Sequence, residues 1–259
     1  MNVTPVFRSV GNPFGSADRG AEGRTVEVVV GRTTDEDTMD ENGHPTRRGV
    51  RETYDRIGSH FAETRAHPWP AVERFVERAS PTTDAIEWGL DLGCGNARHA
   101  ALLADRAEQV VGIDASRTVL DTARERIRGK KAGGAIELCQ ADATHLPLAS
   151  DSVALGVYIA TVHHLPTRDA RVASLDELSR VLASGGRALV SAWSTSHETF
   201  DREEGFDTTV DWTLPGGETV PRYYHIYDPA EFERDVSASA LGLERVFEET
   251  GNCYAVVCG

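Results

Sequence analysis

From Ile86 onward the chain alternates between two hydrophobic periods. Short apolar runs, "IEWGLDLG", "QVVGID", "AIELCQAD", "SVALGVYIA" and "GRALVSAW", predict buried strands. Between them "NARHAALLADRA", "RTVLDTARERIRG" and "TRDARVASLDELSRVLAS" carry the 3.6-residue spacing of helices. Apolar strands joined by helices predict an α/β domain, a doubly wound and mostly parallel sheet with right-handed crossovers. After Trp193 the pattern lapses into an irregular insert over residues 194–227. "PAEFERDVSAS" then predicts a last helix, and "LERVFEE" and "CYAVVC" an antiparallel pair at the sheet edge. Upstream, "VRETYDRIGSHFAET" places Tyr54, Ile57 and Phe61 on one helical face, and "AVERFVERA" predicts a short second helix.

Residues 1–48 lack this order and are expected to form a disordered N-terminal extension, with residues 49–259 as the folded domain. Within the extension only "TVEVVV" (Thr25 to Val30) has strand character, and "TTDEDTMDENGHPTRRG" reads as solvated tail. Met39 is the only methionine besides Met1. Either it is the natural start or the segment before it is a genuine arm; N-terminal sequencing of the native protein decides.

Composition narrows the setting. The chain has 259 residues, a net charge of −14 and only two lysines, Lys130 and Lys131, so its positive charge is almost all arginine. An acidic excess with lysine nearly absent predicts a halophilic protein, whose carboxylates hold water while salt screens their repulsion; an acidic protein from a GC-rich genome is the plainer account. No apolar run approaches the roughly 20 residues of a membrane helix. The opening "MNVTPVFRSV" lacks the basic and apolar regions of a secretory signal, so a cytoplasmic location is expected. Cys94, Cys139, Cys253 and Cys258 have neither CxxC nor metal-ligand spacing, so they read as reduced thiols and no metal is expected.

The candidate chemistry starts at "GLDLGCGNARH". Gly93 and Gly95 lie between a strand and a helix, where the backbone can approach a ligand without Cβ interference. The third glycine of the dinucleotide fingerprint is missing, so a pyrophosphate is disfavoured. Asp114 in "GIDAS" stands at the tip of the next strand, where a carboxylate takes the hydroxyls of a ribose. Asp142 in "ADATHLPL" follows the third strand, where a short acceptor meets an adenine amino group. Each Asp alone is more often a loop or capping residue; three consecutive strand ends carrying Asp91, Gly93 and Gly95, then Asp114, then Asp142, are harder to attribute to packing.

In "LDLGCGNAR", "GID", "ADATHLPLASDSV" and "VLASGGRALV", taken in order, the chain resembles the class I S-adenosylmethionine-dependent methyltransferases from about Val50 to the C-terminus. The resemblance implies a seven-stranded Rossmann-like sheet with its last strand antiparallel. It assigns S-adenosyl-L-methionine to Asp91, Gly93 and Gly95, its ribose to Asp114, and its adenine to Asp142 and Ala143.

Four further clusters predict the acceptor: "SHFAETRAHPWP", "TVHHLPTRDAR", Trp193 and "PRYYHIY". Together they resemble the tRNA wobble-uridine carboxymethyl methyltransferases, which esterify 5-carboxymethyluridine in the anticodon. The matching residues are His60, Phe61, Thr64, Arg65, Pro68, Trp69 and Pro70; Val162, His163 and His164; Thr167, Arg168 and Arg171; and Arg222, Tyr223, Tyr224 and His225. The insert after Trp193 is shorter than the basic insertion of some relatives, and the acidic charge opposes RNA, since salt weakens phosphate attraction. A carboxylate acceptor is ionised at neutral pH and requires orientation rather than a general base. Arg65, His164, Arg222, Tyr224 and His225 are the candidate catalytic donors, and His60, Trp69, His163, Trp193 and Tyr223 the candidate substrate contacts, Trp69 or Tyr223 stacking on the uracil. Arg65 has a second reading, as a ligand of the cofactor's own carboxylate. Arg168, Arg171 and Arg180 are expected to form a local positive stripe for tRNA. The resemblance also implies a small zinc-binding activator subunit paired along "AIELCQAD". Two rivals stand: a methyltransferase acting on a quinone or another small acid, and a non-catalytic binding module.

Overall fold

The computed structural model describes residues 38–40, 43, 45–78, 86–128 and 135–259. The strand expected at Thr25 to Val30 lies outside them. Seven strands form one sheet: β1 (Ile86–Leu92), β2 (Ala107–Asp114), β3 (Ile136–Gln140), β4 (Val153–Ile159), β5 (Leu182–Trp193), β8 (Gly242–Glu249) and β9 (Asn252–Cys258). Their order is β3-β2-β1-β4-β5-β9-β8; the first five are parallel, while β9 runs antiparallel to both β5 and β8. The chain passes from β5 to the outer strand β8, which keeps the direction of β5, and returns reversed as β9 between the two.

Helices cover both faces, as a sheet apolar on both sides requires. One face packs Leu90, Val111, Tyr158 and Val190 against α5 (Arg168–Val181) and α6 (Pro229–Ala238). The other packs Val110, Val157, Leu189 and Val256 against α2 (Pro70–Arg78), α3 (Arg98–Leu103) and α4 (Arg117–Ile127). The helix expected over Asn96–Ala107 is shorter than its pattern, because Ala97 has φ +60° and Ala107 already belongs to β2. No helix among the described residues is long and apolar enough to cross a membrane.

One expectation needs correction. The insert over 194–227 is not irregular: β6 (Phe206–Thr213) and β7 (Thr219–Ile226) pair antiparallel in a separate two-stranded sheet. β6 alternates half-buried and exposed residues along its whole length, a period of two spread over polar residues that a search for apolar runs passes over. Its base is tied to the main sheet where the Tyr227 amide donates to the Trp193 carbonyl (3.0 Å) and the Thr195 amide to the Tyr227 carbonyl (2.8 Å).

α1 (Arg47–Glu63) lies over the ends of the strands and is docked by a carboxylate. Asp55 accepts from the hydroxyl of Ser116 (2.7 Å) and the amide of Thr118 (3.3 Å), so it supplements the Ser116 cap at the start of α4. Replacing Asp55→Ala should cost about 1–2 kcal/mol, read as a lower urea midpoint with an unchanged denaturant slope.

Candidate active site

A cavity of about 230 Å³ opens at the C-terminal ends of β1, β2, β4 and β5, beneath α1. Its base is the turn after β1. Gly93 (φ +69°) and Gly95 (φ +55°) hold backbone conformations that favour glycine. A Cβ on Gly93 would fall 2.2 Å from the Thr161 hydroxyl, while one on Gly95 would meet nothing within 4 Å. The Gly93 and Cys94 amides donate to the Ile113 carbonyl at 2.7 and 2.9 Å, and the Gly95 amide to Asp114 at 3.0 Å. The Ser116 amide donates to the other Asp114 oxygen at 2.9 Å. Asp114 is thus fixed before any ligand arrives, with lone pairs left for hydroxyls.

Asp142 and Ala143 line the same cavity. One Asp142 oxygen faces the Arg47 guanidinium at 2.8 Å and the other accepts from Thr144. Asp91 lies beneath the turn and outside the lining: one oxygen accepts from the Ala100 amide (2.7 Å), the other has no partner, and burial pushes its pKa up to about 7. Its contact organises the start of α3. A cradle with an open glycine, a preset carboxylate at the second strand and a polar loop at the third fits a nucleoside-bearing cofactor.

The opposite wall is an aromatic and hydrogen-bonded network. Trp193 stacks on Tyr224 with centroids 4.8 Å apart, and both line the cavity with His163 and His164. The His164 Nδ1 lies 3.0 Å from the Tyr223 carbonyl, which can only accept, so Nδ1 carries the proton. Nε2 then accepts from the Tyr54 hydroxyl at 2.9 Å. Arg222 donates to the Tyr224 oxygen at 2.6 Å. Tyr54 therefore donates to His164 and His164 to the Tyr223 carbonyl, while Arg222, which can only donate, gives a proton to Tyr224. Burial holds His164 at about 3, so it is a neutral acceptor rather than a cationic clamp. His163 accepts from the Trp193 amide at 2.9 Å, which places its proton on a buried Nε2 that has no protein partner.

Arg65 and Arg222 approach the same two rings. Arg65 lies 3.9 Å over Phe61 and 5.4 Å over Trp212; Arg222 lies 5.8 Å and 5.0 Å from them. Neither forms an ion pair with a carboxylate among the described residues; Arg65 donates to Thr64, and the buried Arg222 leaves Nε unpaired. The Arg65 pKa is lowered mainly by burial and further by Arg222.

The structure separates the remaining candidates. Along β7 alternate side chains face opposite ways, so Arg222 and Tyr224 share one side and Tyr223 and His225 the other; of the four only Tyr224 lines the cavity, and Arg222 is buried against its hydroxyl. Tyr223 and His225 both meet Asp207, at 2.9 and 2.7 Å, and His225 also meets Glu231 at 2.9 Å. His60 accepts from the Trp212 indole at 3.1 Å and does not reach the cavity. Trp69 does line it, under Arg98 at 5.5 Å. The expected arginine stripe is corrected: Arg168 is held by Asp235 at 2.7 Å, Arg171 is buried beside Asp235 and Glu231, and Arg180 is held by Glu177 and the Leu146 and Leu148 carbonyls. Sequence reading missed Tyr54, taken as helix packing, and Trp212, concealed in the polar β6. It also passed over Asn96, whose amide donates at 2.9 Å to both the Ala62 and Arg65 carbonyls and joins α1 to the glycine turn.

The family described as "Methyltransferase domain" matches residues 90–190. A mouse protein named tRNA (carboxymethyluridine(34)-5-O)-methyltransferase ALKBH8 is 33% identical over 152 residues, 59% of this chain and 21% of that protein. A Saccharomyces cerevisiae protein named tRNA (carboxymethyluridine(34)-5-O)-methyltransferase is 30% identical over 177 residues, 67% of this chain and 59% of its own length. A putative methyltransferase of Encephalitozoon cuniculi is 31% identical over 195 residues, 73% of this chain and 85% of that protein. Among solved structures, a complex of the Haloferax volcanii Trm112 methyltransferase activator with a putative methyltransferase matches with TM-score 0.58 and 16% identity, over 81% of this chain and 96% of that one.

The buried histidines set the pH response. Burial holds His99 and His164 at about 3 and His163 well below its usual value. Between those values and about 6.5 each gains a proton only on unfolding, so stability falls as pH falls. Asp91 and Asp114, both raised by burial, act with the opposite sign but are fewer. In about 2 M salt, which screens the surface carboxylates, the urea midpoint should drop between pH 7.5 and 5.0, with net uptake of about one to two protons on unfolding.

Proposed function

The chain belongs to the S-adenosylmethionine-dependent methyltransferases, and we propose that it esterifies the carboxylate of 5-carboxymethyluridine at the wobble position of tRNA. The observation that carries this reading is the Arg65–Arg222 pair, two guanidinium groups on one aromatic surface with no carboxylate among the described residues to neutralise them. A planar, bidentate anion fits between such forks better than a hydroxyl or amine acceptor does. The tRNA assignment draws on the relatives' names; the chain spans 21% of the mouse protein and 59% of the yeast one.

The glycine turn, Asp114 and the Asp142–Ala143 loop would hold the cofactor, with His163 Nε2–H a further free donor. When bound, S-adenosylmethionine supplies an electrophilic methyl group. The protein's task is to bring an already ionised oxygen in line and keep water out. Arg65 and Arg222 orient the carboxylate, Phe61, Trp212 and Trp69 offer faces to the uracil, and the His164 ring packs edge-on against Tyr224, which accepts from Arg222. No general base is required, because the acceptor's pKa is about 4. We further assign the chain to a cytoplasm of high salt, on its acidic composition, and to an activator subunit that adds a strand to the exposed edge of β3.

Transfer of labelled methyl to tRNA from a strain lacking the gene, followed by nucleoside mass spectrometry, tests the reading. The methyl ester of 5-carboxymethyluridine should form, and a label on any other nucleoside contradicts it. Arg222→Met should lower kcat at least about a hundredfold, the range for one lost transition-state donor. The wild-type kcat should be flat between about pH 6 and 9 and fall only as the acceptor protonates near 4.

A further inference from the structure

A second depression, of about 570 Å³, lies between α2 and the outer strand β8. It is lined by the apolar Phe75, Leu189, Phe247 and Val256 and by four arginines, Arg74, Arg78, Arg187 and Arg245, against two glutamates, Glu244 and Glu249. In a chain of net charge −14 this reverses the local sign. Arg74 is paired with Glu249 and Arg187 with Glu244. Arg78 and Arg245 form no ion pair among the described residues. The Arg245 guanidinium instead lies 4.4 Å over the Phe247 ring, a stacked posture that leaves its N–H groups free for an anion. The pairing of β8 with β9 shifts between Leu243 and Arg245, and Glu244 and Arg245, neighbours on a strand, both line the depression.

The depression also adjoins the cavity. Arg98 and Trp69 both line the cavity, the Arg98 guanidinium 5.5 Å over the Trp69 ring. Ala71, two residues beyond Trp69, lines the depression. Trp69, under Arg98, is the residue before α2. From Glu249 to Glu244 the strand extends about 16 Å, several times the roughly 3.4 Å axial spacing of charges on a nucleic-acid strand.

We propose that this arginine-lined groove holds the phosphate backbone of the nucleotides flanking the acceptor base. The inference rests on the reading of the chain as a tRNA methyltransferase: a base inserted in the cavity must leave its neighbours along the rim, and Arg98 marks the side where positive charge continues. Arginine forks pair with phosphates directly, which suits a chain whose salt-screened acidic surface gives little long-range attraction. The three arginines of α5 that might have served are already neutralised within the fold.

The test uses the full chain with Arg78→Glu and Arg245→Glu combined, assayed on tRNA bearing 5-carboxymethyluridine. The KM for tRNA should rise at least about tenfold with kcat within about twofold, and the slope of log affinity against log salt should flatten by about two. S-adenosylmethionine affinity by calorimetry should be unchanged. Should that affinity fall as well, the gentler Arg78→Gln, Arg245→Gln pair must still raise KM selectively. An unchanged KM and salt slope overturn the proposal, and so does loss of a co-purifying protein with tRNA binding intact. If the wild-type chain esterifies no tRNA, the underlying reading fails instead; direct tRNA binding by fluorescence anisotropy then still judges the groove, and equal affinity of variant and wild type rejects it.

Discussion

Two like charges laid on one aromatic surface, without a counter-charge, form the arrangement around which the rest of this molecule is organised. Acidic residues outnumber Lys and Arg by 41 to 27, so a carboxylate could readily have reached Arg65 or Arg222. None among the described residues does. Desolvating a cation without a partner is costly, and the protein offsets that cost by ring faces and oxygens: Phe61 and Trp212 beneath both guanidinium groups, Thr64 on one and Tyr224 on the other. What remains is a pair of cations with no counter-charge among the described residues, Arg65 in the lining of the cavity and Arg222 buried just outside it.

Each element near the site serves that arrangement. Asp55 docks α1 on α4, and Asn96 ties its C-terminus to the glycine turn, so Arg65 is referenced to the cofactor cradle through two short contacts. The β6–β7 hairpin brings Arg222 and Trp212 from the other side, fixed to the sheet at Trp193 and Tyr227. The bonds from Tyr54 to His164, from His164 to the Tyr223 carbonyl and from Arg222 to Tyr224 restrain two tyrosines and a histidine, the kind of preorganisation that lowers the cost of holding a charged acceptor.

The domain was legible in the sequence because apolar strands and helical stretches differ in period, and because Gly93, Gly95, Asp114 and Asp142 fall at successive strand ends. The acceptor side was legible only as a set of residue types. "RYYH" names four promising side chains, yet a strand turns them alternately, so Tyr224 reaches the wall with Arg222 against its hydroxyl, while Tyr223 and His225 serve Asp207. That division could not be read while the insert was taken as irregular. Tyr54 and Trp212 were missed for a related reason: one looked like core, the other lay in a strand too polar to announce itself. The arginines of α5 carried charge in the sequence but none to spare in the fold, since Asp235 and Glu177 lie far along the chain or one turn away.

The most direct measurement is calorimetric binding of two anticodon stem-loops in the presence of S-adenosylhomocysteine, one bearing 5-carboxymethyluridine and the other its uncharged amide. The two ligands share shape, stacking and phosphates and differ only in the anion that we propose the guanidinium pair receives. The account predicts that the acid binds at least about tenfold more tightly, the value of about 1.4 kcal/mol for a charge-assisted contact, and that Arg65→Met with Arg222→Met abolishes the difference. Equal affinity for acid and amide in the unaltered protein would contradict it.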